Sequence, residues 1–167
     1  MECEIIEELA DSISNNIYLM FDIKSESTGK SSSVPCLSFS NDFMAAIPLF
    51  NKNFNGEIII GFPKDIVEEM VSDILVLVKD KLSQKFLKLD TIGEILNVAA
   101  GRFVVSDAVK KKFSKLSFST PVVWAKDKSN SILGGEAAGR ALRIKYRNNQ
   151  EVNLYLAVSA IVKVEGV

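Results

Sequence analysis

Histidine is absent from all 167 residues, and that one absence excludes Ser-His-Asp and Cys-His catalysis together with histidine-based metal and acid-base mechanisms. Cysteine is scarce as well. Cys3 and Cys36 form no CxxC pair, so neither a thiolate zinc site nor a disulfide framework is expected. The formal net charge is -1 and the pI is about 5.6, which leaves no basic field for holding nucleic acid. No apolar run is long enough to span a bilayer. The start MECEIIEELADSI is acidic and amphipathic, unlike a secretory signal. The expectation is a cytoplasmic protein with no membrane or nucleic-acid partner. Its chemistry must come from carboxylates, carboxamides, hydroxyls, lysines or groups that a partner supplies.

What the chain does contain is apolar periodicity, with a hydrophobic fraction of 47% that suffices for one buried core. Residues 2 to about 20 read as a helix with Ile6, Leu9, Ala10, Ile13 and Ile17 inward. SESTGKSSS, residues 25–33, reads as a loop. Strand-like stretches follow at about 34–39, 43–50 and 56–62, the last two joined by NKNFN. Pro63 then opens a helix over IVEEMVSDILVLV. After the charged stretch KDKLSQKFLK, a further helix runs to about Lys112, where Lys110, Lys111 and Lys112 suit the negative end of a helix dipole. Strands are expected at about 118–125, 138–147 and 151–164, with a hairpin around Arg147, Asn148, Asn149 and Gln150.

The two halves repeat one order: helix, strand beginning at a proline, hairpin. FMAAIPLFNKNFNGEIIIGF and ALRIKYRNNQEVNLYLAV carry the same alternation and the same polar turn. The fold class expected is α/β (α+β), a single domain over 1–167 with a pseudo-twofold repeat, about 2–80 and 88–165. A mostly antiparallel sheet would pack against long helices. Superposing Pro35 on Pro121 places Glu8 and Asp11 of the first helix where the second has Glu94 and Asn97.

The segment LDTIGEILNVAAGRF is the one stretch built for chemistry. At 100° per residue, Ile92, Ile95, Leu96, Ala99 and Phe103 share one face, while Asp90, Glu94, Asn97 and Gly101 share the other. Gly93, Asn97 and Gly101 recur every four residues, although each is a poor helix former and a glycine costs about 1 kcal/mol relative to alanine. A helix weakened along one exposed ridge has something to receive there. Plainer readings coexist. Thr91 to Glu94 also fits a capping box, Asp90 a helix start and Pro121 a strand edge. Gly134, Gly135 and Gly139 lie in a small-residue loop without GxGxxG spacing, and Arg143, Lys145 and Arg147 form a basic stripe without interleaved aromatics, read as a solvated sheet face.

Asp90, Glu94, Asn97 and Pro121 resemble the signature of the CheC, CheX and FliY family of chemotaxis phosphatases, which dephosphorylate the response regulator CheY. That signature is Asp or Ser, three residues, Glu, two residues, Asn, then a proline a little over twenty residues on. Here 23 residues separate Asn97 from Pro121, and Gly101 follows as in ENxxxG-like members. One intact motif beside a degenerate first half most resembles the CheX branch, with one active helix per subunit. The resemblance implies a CheX-like phosphatase in which Asn97 orients the attacking water and Glu94 pairs with a lysine of the regulator. Asp90, Gly93 and Gly101 would form the partner-binding ridge. It further implies a phosphorylated CheY-like regulator as partner, Mg2+ held by that regulator, no cofactor of the chain's own, and a homodimer. The alternative is a non-catalytic adaptor of the same fold that binds a response regulator or another chemotaxis or flagellar partner.

Overall fold

The near-continuous apolar stretches FMAAIPLFN and FNGEIIIGF, turned by Lys52 and Asn53, build one central hairpin of the sheet. Asn51 closes that turn, because its side-chain oxygen accepts from the Asn53 N–H at 2.8 Å. The structure, a computed structural model, describes residues 3–34, 37–38, 41–125, 132–133, 138–147 and 150–159. In chain order the elements are α1 (Cys3–Phe21), β1 (Ser27–Thr28), β2 (Ser32–Val34), β3 (Leu37–Ser38), β4 (Phe43–Asn51), β5 (Phe54–Phe62) and α2 (Lys64–Leu75). There follow α3 (Lys81–Val105), α4 (Asp107–Phe113), β6 (Ser117–Phe118), β7 (Val122–Ala125), β8 (Ile132–Leu133), β9 (Ala138–Lys145) and β10 (Glu151–Ser159).

The sheet is antiparallel throughout, in the order β1-β9-β10-β5-β4-β6, with β2 also on β9 and β7 also on β4. Two hairpins, β4–β5 and β9–β10, therefore meet at a β5–β10 seam, where Leu156 pairs with Ile58. The edge strands are exchanged. β1 and β2, from the first half, flank the second hairpin, and β6 and β7, from the second half, flank the first. Neither half can complete its sheet alone, which makes the chain a single domain.

One face of this sheet carries the helices. Ile5, Ile6, Leu9, Ala10 and Ile13 of α1 and Ile92, Ile95, Leu96, Ala99 and Phe103 of α3 are buried with Ile47, Ile58, Ile60, Leu142, Ile144 and Leu154 in one core. Each Ile or Leu so buried contributes about 1.5–3 kcal/mol relative to exposure. Along the end of β9 and the two residues after it the alternation is clean, with Leu142, Ile144 and Tyr146 in and Arg143, Lys145 and Arg147 out. Arg143 Nη1 lies 3.5 Å from Glu151 Oε2, so the basic stripe is a solvated, partly neutralised face.

Several element boundaries differ from the sequence expectation, each for a local reason. The SESTGKSSS stretch is not all loop. It holds β1 and part of β2, which lack apolar alternation because backbone bonds such as Gly29 N–H to Arg143 O, 2.9 Å, hold them to β9. The expected strand at 34–39 is divided between β2 and β3, and β3 pairs with β8 in a separate ladder. The expected strand at 118–125 is interrupted into β6 and β7, with the Ser119 N–H donating to Pro48 O at 3.2 Å between them. Pro63 is the N-cap of α2 and lies outside its first turn; Asp42 Oδ2 accepts the Lys64 N–H at 2.8 Å. The KDKLSQKFLK stretch is largely helical, since α3 starts at Lys81. That helix also stops earlier than expected. Ser106 is extended, at φ -66° and ψ 153°, and its hydroxyl caps a new helix, α4, which Lys110, Lys111 and Lys112 close. Gly139 is a strand residue of β9. Pro35, Gly134, Gly135, Asn148 and Asn149 lie outside the described residues.

Candidate functional site

The candidate site rides on α3, and the sequence fixes that helix at its start. Asp80 accepts the Ser83 N–H at 2.8 Å, and hydrogen bonding from the Ser83 side chain, with that backbone bond second, holds the Asp80 carboxyl below the usual carboxylate range. Gln84 Nε2 donates to Val78 O at 2.7 Å and tightens the entry turn. Two turns into α3, Lys88 Nζ lies 2.7 Å from Glu68 Oε1 on α2, with Lys64 Nζ at 3.7 Å from the same oxygen. The Lys88 hydrogen bond, and secondarily the two positive charges, depress the Glu68 carboxyl. These contacts place Thr91 and Glu94 deep inside a helix. Thr91 Oγ1 donates to Leu87 O at 2.8 Å, so it caps nothing, and the capping-box reading of Glu94 falls.

Beyond that point the two faces separate as the periodicity predicts. Ile92, Ile95, Leu96, Ala99 and Phe103 are buried; Asp90, Glu94 and Asn97 are exposed. Glu94 and Asn97 are separated by about 4.5 Å along the axis and about 60° around it, close enough for one partner surface to meet both. Neither makes a side-chain hydrogen bond or ion pair among the described residues. Their polar atoms are free for something else.

The two glycines of the ridge differ. A Cβ on Gly93 would stand 3.2 Å from Val123 Cγ2, so Gly93 lets α3 lie tightly on β7. Packing inside the molecule accounts for it. A Cβ on Gly101 would meet Phe118 Cζ at 3.8 Å, an ordinary contact, so internal packing does not require glycine there. Pro121 is half-buried immediately before β7, the strand that Gly93 touches. The helix and the strand after the proline are thus one packed unit.

The pairing register also revises the internal correspondence. Phe50–Asn55 and Lys145–Glu151 are the pairs next to the two hairpin ends, and their first members pair outward with Ser117 and Ser27. Ser27 therefore corresponds to Ser117, an offset of 90 residues that the alignment on Pro35 and Pro121 does not give. The same offset lays buried Ile5, Ile6, Leu9, Ala10 and Ile13 on buried Ile95, Leu96, Ala99, Ala100 and Phe103. Glu4 and Glu7, both exposed, then stand where α3 has Glu94 and Asn97, and Asp11 where it has Gly101. Glu8 is half-buried and has no counterpart role.

Sequence reasoning missed the exposed residues Leu82 and Phe86 on the first turns of α3. Asp80 followed by Ser83 was the available signal. Among the described residues, no group of three or more His, Cys, Asp or Glu could hold a metal ion, and no helix is long and apolar enough to cross a membrane.

No family model and no curated protein sequence matches this chain. Solved structures do. A protein from Desulfovibrio vulgaris Hildenborough superposes with a TM-score of 0.77 at 19% identity, over 93% of this chain and 97% of that one. The chemotaxis protein CheX from Desulfovibrio desulfuricans gives 0.73 at 19% identity, over 93% and 99%. A chain of the CheX–CheY–BeF3–Mg2+ complex from Borrelia burgdorferi gives 0.69 at 19% identity, over 94% and 99%. The helices and shared antiparallel sheet thus form an α/β fold found among chemotaxis proteins. Within that class, the chain has the CheX-like fold.

Proposed function

We propose that this protein hydrolyses the aspartyl phosphate of a CheY-type response regulator. One observation carries the reading: Glu94 and Asn97 stand exposed and unpartnered among the described residues, on the outer face of a helix whose inner face is locked in the core. The likeness to a CheX found in complex with CheY supports a regulator of that type as the partner.

Hydrolysis of an acyl phosphate passes through a loose transition state, so positioning and electrostatics are most of the catalysis. The regulator would bring the phosphoaspartate, a lysine and a Mg2+ ion that offsets charge on the phosphoryl oxygens. The Asn97 carboxamide oxygen accepts one hydrogen of a water and turns its lone pair in line with phosphorus. The water oxygen bonds to phosphorus as the bond to the aspartyl oxygen breaks, leaving a carboxylate and inorganic phosphate. Ordering that water removes an entropic part of the barrier. Glu94 pairs with the regulator's lysine and sets the register of Asn97. Such a pair contributes about 0–1 kcal/mol while exposed, and breaking it costs more once docking buries it. No general base is required, in keeping with a chain that has no histidine. The same reading has the protein working in the cytoplasm, as a homodimer.

The test is the decay of a radiolabelled phosphoregulator. Wild type accelerates it; Asn97→Ala abolishes the acceleration at unchanged thermal stability, and Glu94→Ala weakens it. Glu4→Ala and Glu7→Ala leave the rate unchanged, and a large loss from either overturns the assignment of one site per subunit. A wild type that binds the regulator without accelerating decay would make it an adaptor.

A further inference from the structure

The last turns of α1 and α2 line one open groove of 780 Å³, a volume large enough to seat several side chains of a partner. Tyr18, Leu19, Met20 and Ile74 line it while remaining 40–69% exposed, and Met70 is its buried apolar base. Val76 and Leu77, both more than three-quarters exposed, carry the apolar surface on past Ile74. A contiguous patch of this kind marks an interaction surface. No residue of α3 lines it, so it is separate from Glu94 and Asn97.

Charge indicates what the groove receives. Its charged lining residues, Asp22, Glu69 and Asp73, are all acids, and none has an ion pair among the described residues. The helix ends have the same sign. A helix C-terminus carries about half a negative charge, which a basic residue in the last turn usually offsets. α3 has Arg102 there and α4 has Lys110, Lys111 and Lys112, but α1 and α2 have none. Asp22 worsens the balance. It follows α1 at φ 55° with its N–H on Tyr18 O at 2.8 Å, a position that glycine or asparagine fills at lower cost and where negative charge is unfavourable. Local choices that cost stability in this way mark functional surface. Lys24 does not neutralise the rim, because its Nζ stands over the Tyr18 ring, 5.2 Å from the centroid, and makes no ion pair among the described residues. Such a rim repels nucleic acid and anionic lipid, and a small cation would leave Leu19, Val76 and Leu77 in water. A protein segment that sets apolar side chains between lysines or arginines satisfies both halves of the groove.

We propose that this groove docks a basic amphipathic helix of another protein, its apolar face on Leu19, Met20 and Ile74 and its cations against Asp22, Glu69 and Asp73. The test is titration of the full chain into a fluorescent model peptide of leucine and lysine, patterned as an amphipathic helix of about four turns. That peptide binds at least tenfold more tightly than one with glutamate for lysine or serine for leucine. Leu19→Ser, and Glu69→Lys combined with Asp73→Lys, each weaken its binding about tenfold, and neither variant melts below wild type. Glu4→Lys combined with Glu7→Lys makes the same charge change more than about 20 Å from Asp22 along α1 and leaves affinity within twofold. Equal losses from the two double variants reduce the effect to net charge and overturn the proposal, as do groove variants that stay within twofold of wild type. Sedimentation in which wild type self-associates and Leu19→Ser does not would place a second copy of this chain in the groove, and overturns it as well.

Discussion

Replacing Gly101 by alanine should make the protein more stable and a poorer partner for the proposed regulator. Gly101 lies inside α3, where a glycine costs about 1 kcal/mol relative to alanine, mainly in backbone entropy. The added methyl would stand 3.8 Å from Phe118 Cζ, a distance at which dispersion is attractive. Gly101→Ala should therefore gain about 1 kcal/mol, or a rise of about 2–4 °C in Tm for a chain of this length. Gly93→Ala gains the same propensity but forces Val123 Cγ2 to retreat from 3.2 Å, and the strain offsets the gain. Urea denaturation followed by circular dichroism separates the two: the midpoint rises for Gly101→Ala at unchanged slope and stays within about 0.5 kcal/mol of wild type for Gly93→Ala. Because Gly101 is one turn beyond Asn97 on the outward ridge, the same methyl should also weaken regulator binding. A loss of stability in Gly101→Ala would refute the packing argument. Unchanged binding would refute the partner role of that glycine.

Two further outcomes follow from the buried and paired groups. Burial pushes the Tyr146 phenol from 10.0 up to about 12, with Ser14 pulling weakly the other way. The folded state thus holds that proton more tightly than the unfolded chain does, so its contribution is intact below pH 10 and is lost as pH rises through 12, by roughly 2–3 kcal/mol. Tyr146→Phe should lose less stability than wild type across that window in denaturant titrations, and parallel curves would contradict it. The Glu68 carboxyl is depressed by Lys88, so its contribution is present above the ordinary glutamate range and is lost as pH falls through the lower folded value. Glu68→Gln should cost about 0.5 kcal/mol at neutral pH, less in high salt, because Glu68 is partly exposed; an equal loss at 1 M salt would count against an ion pair.

The readable parts of this chain are those in which side chains alone decide the structure. α1, the middle of α3 and the two hairpins each bury one periodic face, and so Glu94 and Asn97 were assigned to the outer face from spacing alone. The edge strands were hidden for the opposite reason. Serines in β1 and β2 bury nothing, and their position comes from backbone bonds to β9, over a hundred residues away in sequence. The start of α3 was hidden because its first two turns have no buried face to produce a period, leaving only the Asp80 cap as a signal. The two prolines that align the halves in sequence are not equivalent, because eight positions lead from Ser27 to Pro35 and only four from Ser117 to Pro121, while the paths from helix to edge strand are equal in length.

That corrected offset gives a physical reason why the proposed site falls on one helix of a symmetric fold. α1 and α3 bury matching faces against the same sheet, so position does not distinguish them. Their outward ridges do. Where α3 presents Glu94, Asn97 and the bare backbone of Gly101, α1 presents Glu4, Glu7 and Asp11. A carboxylate at the place of Asn97 can accept from a water as the carboxamide oxygen does. It differs in setting a negative charge against a phosphoryl group, at about 4 kcal/mol per pair of unit charges 4 Å apart for an effective dielectric constant of 20. Asp11 adds a second such charge and raises the ridge that Gly101 keeps low. The difference between the halves is thus electrostatic and local, and it confines the proposed chemistry to α3 without any change in the scaffold.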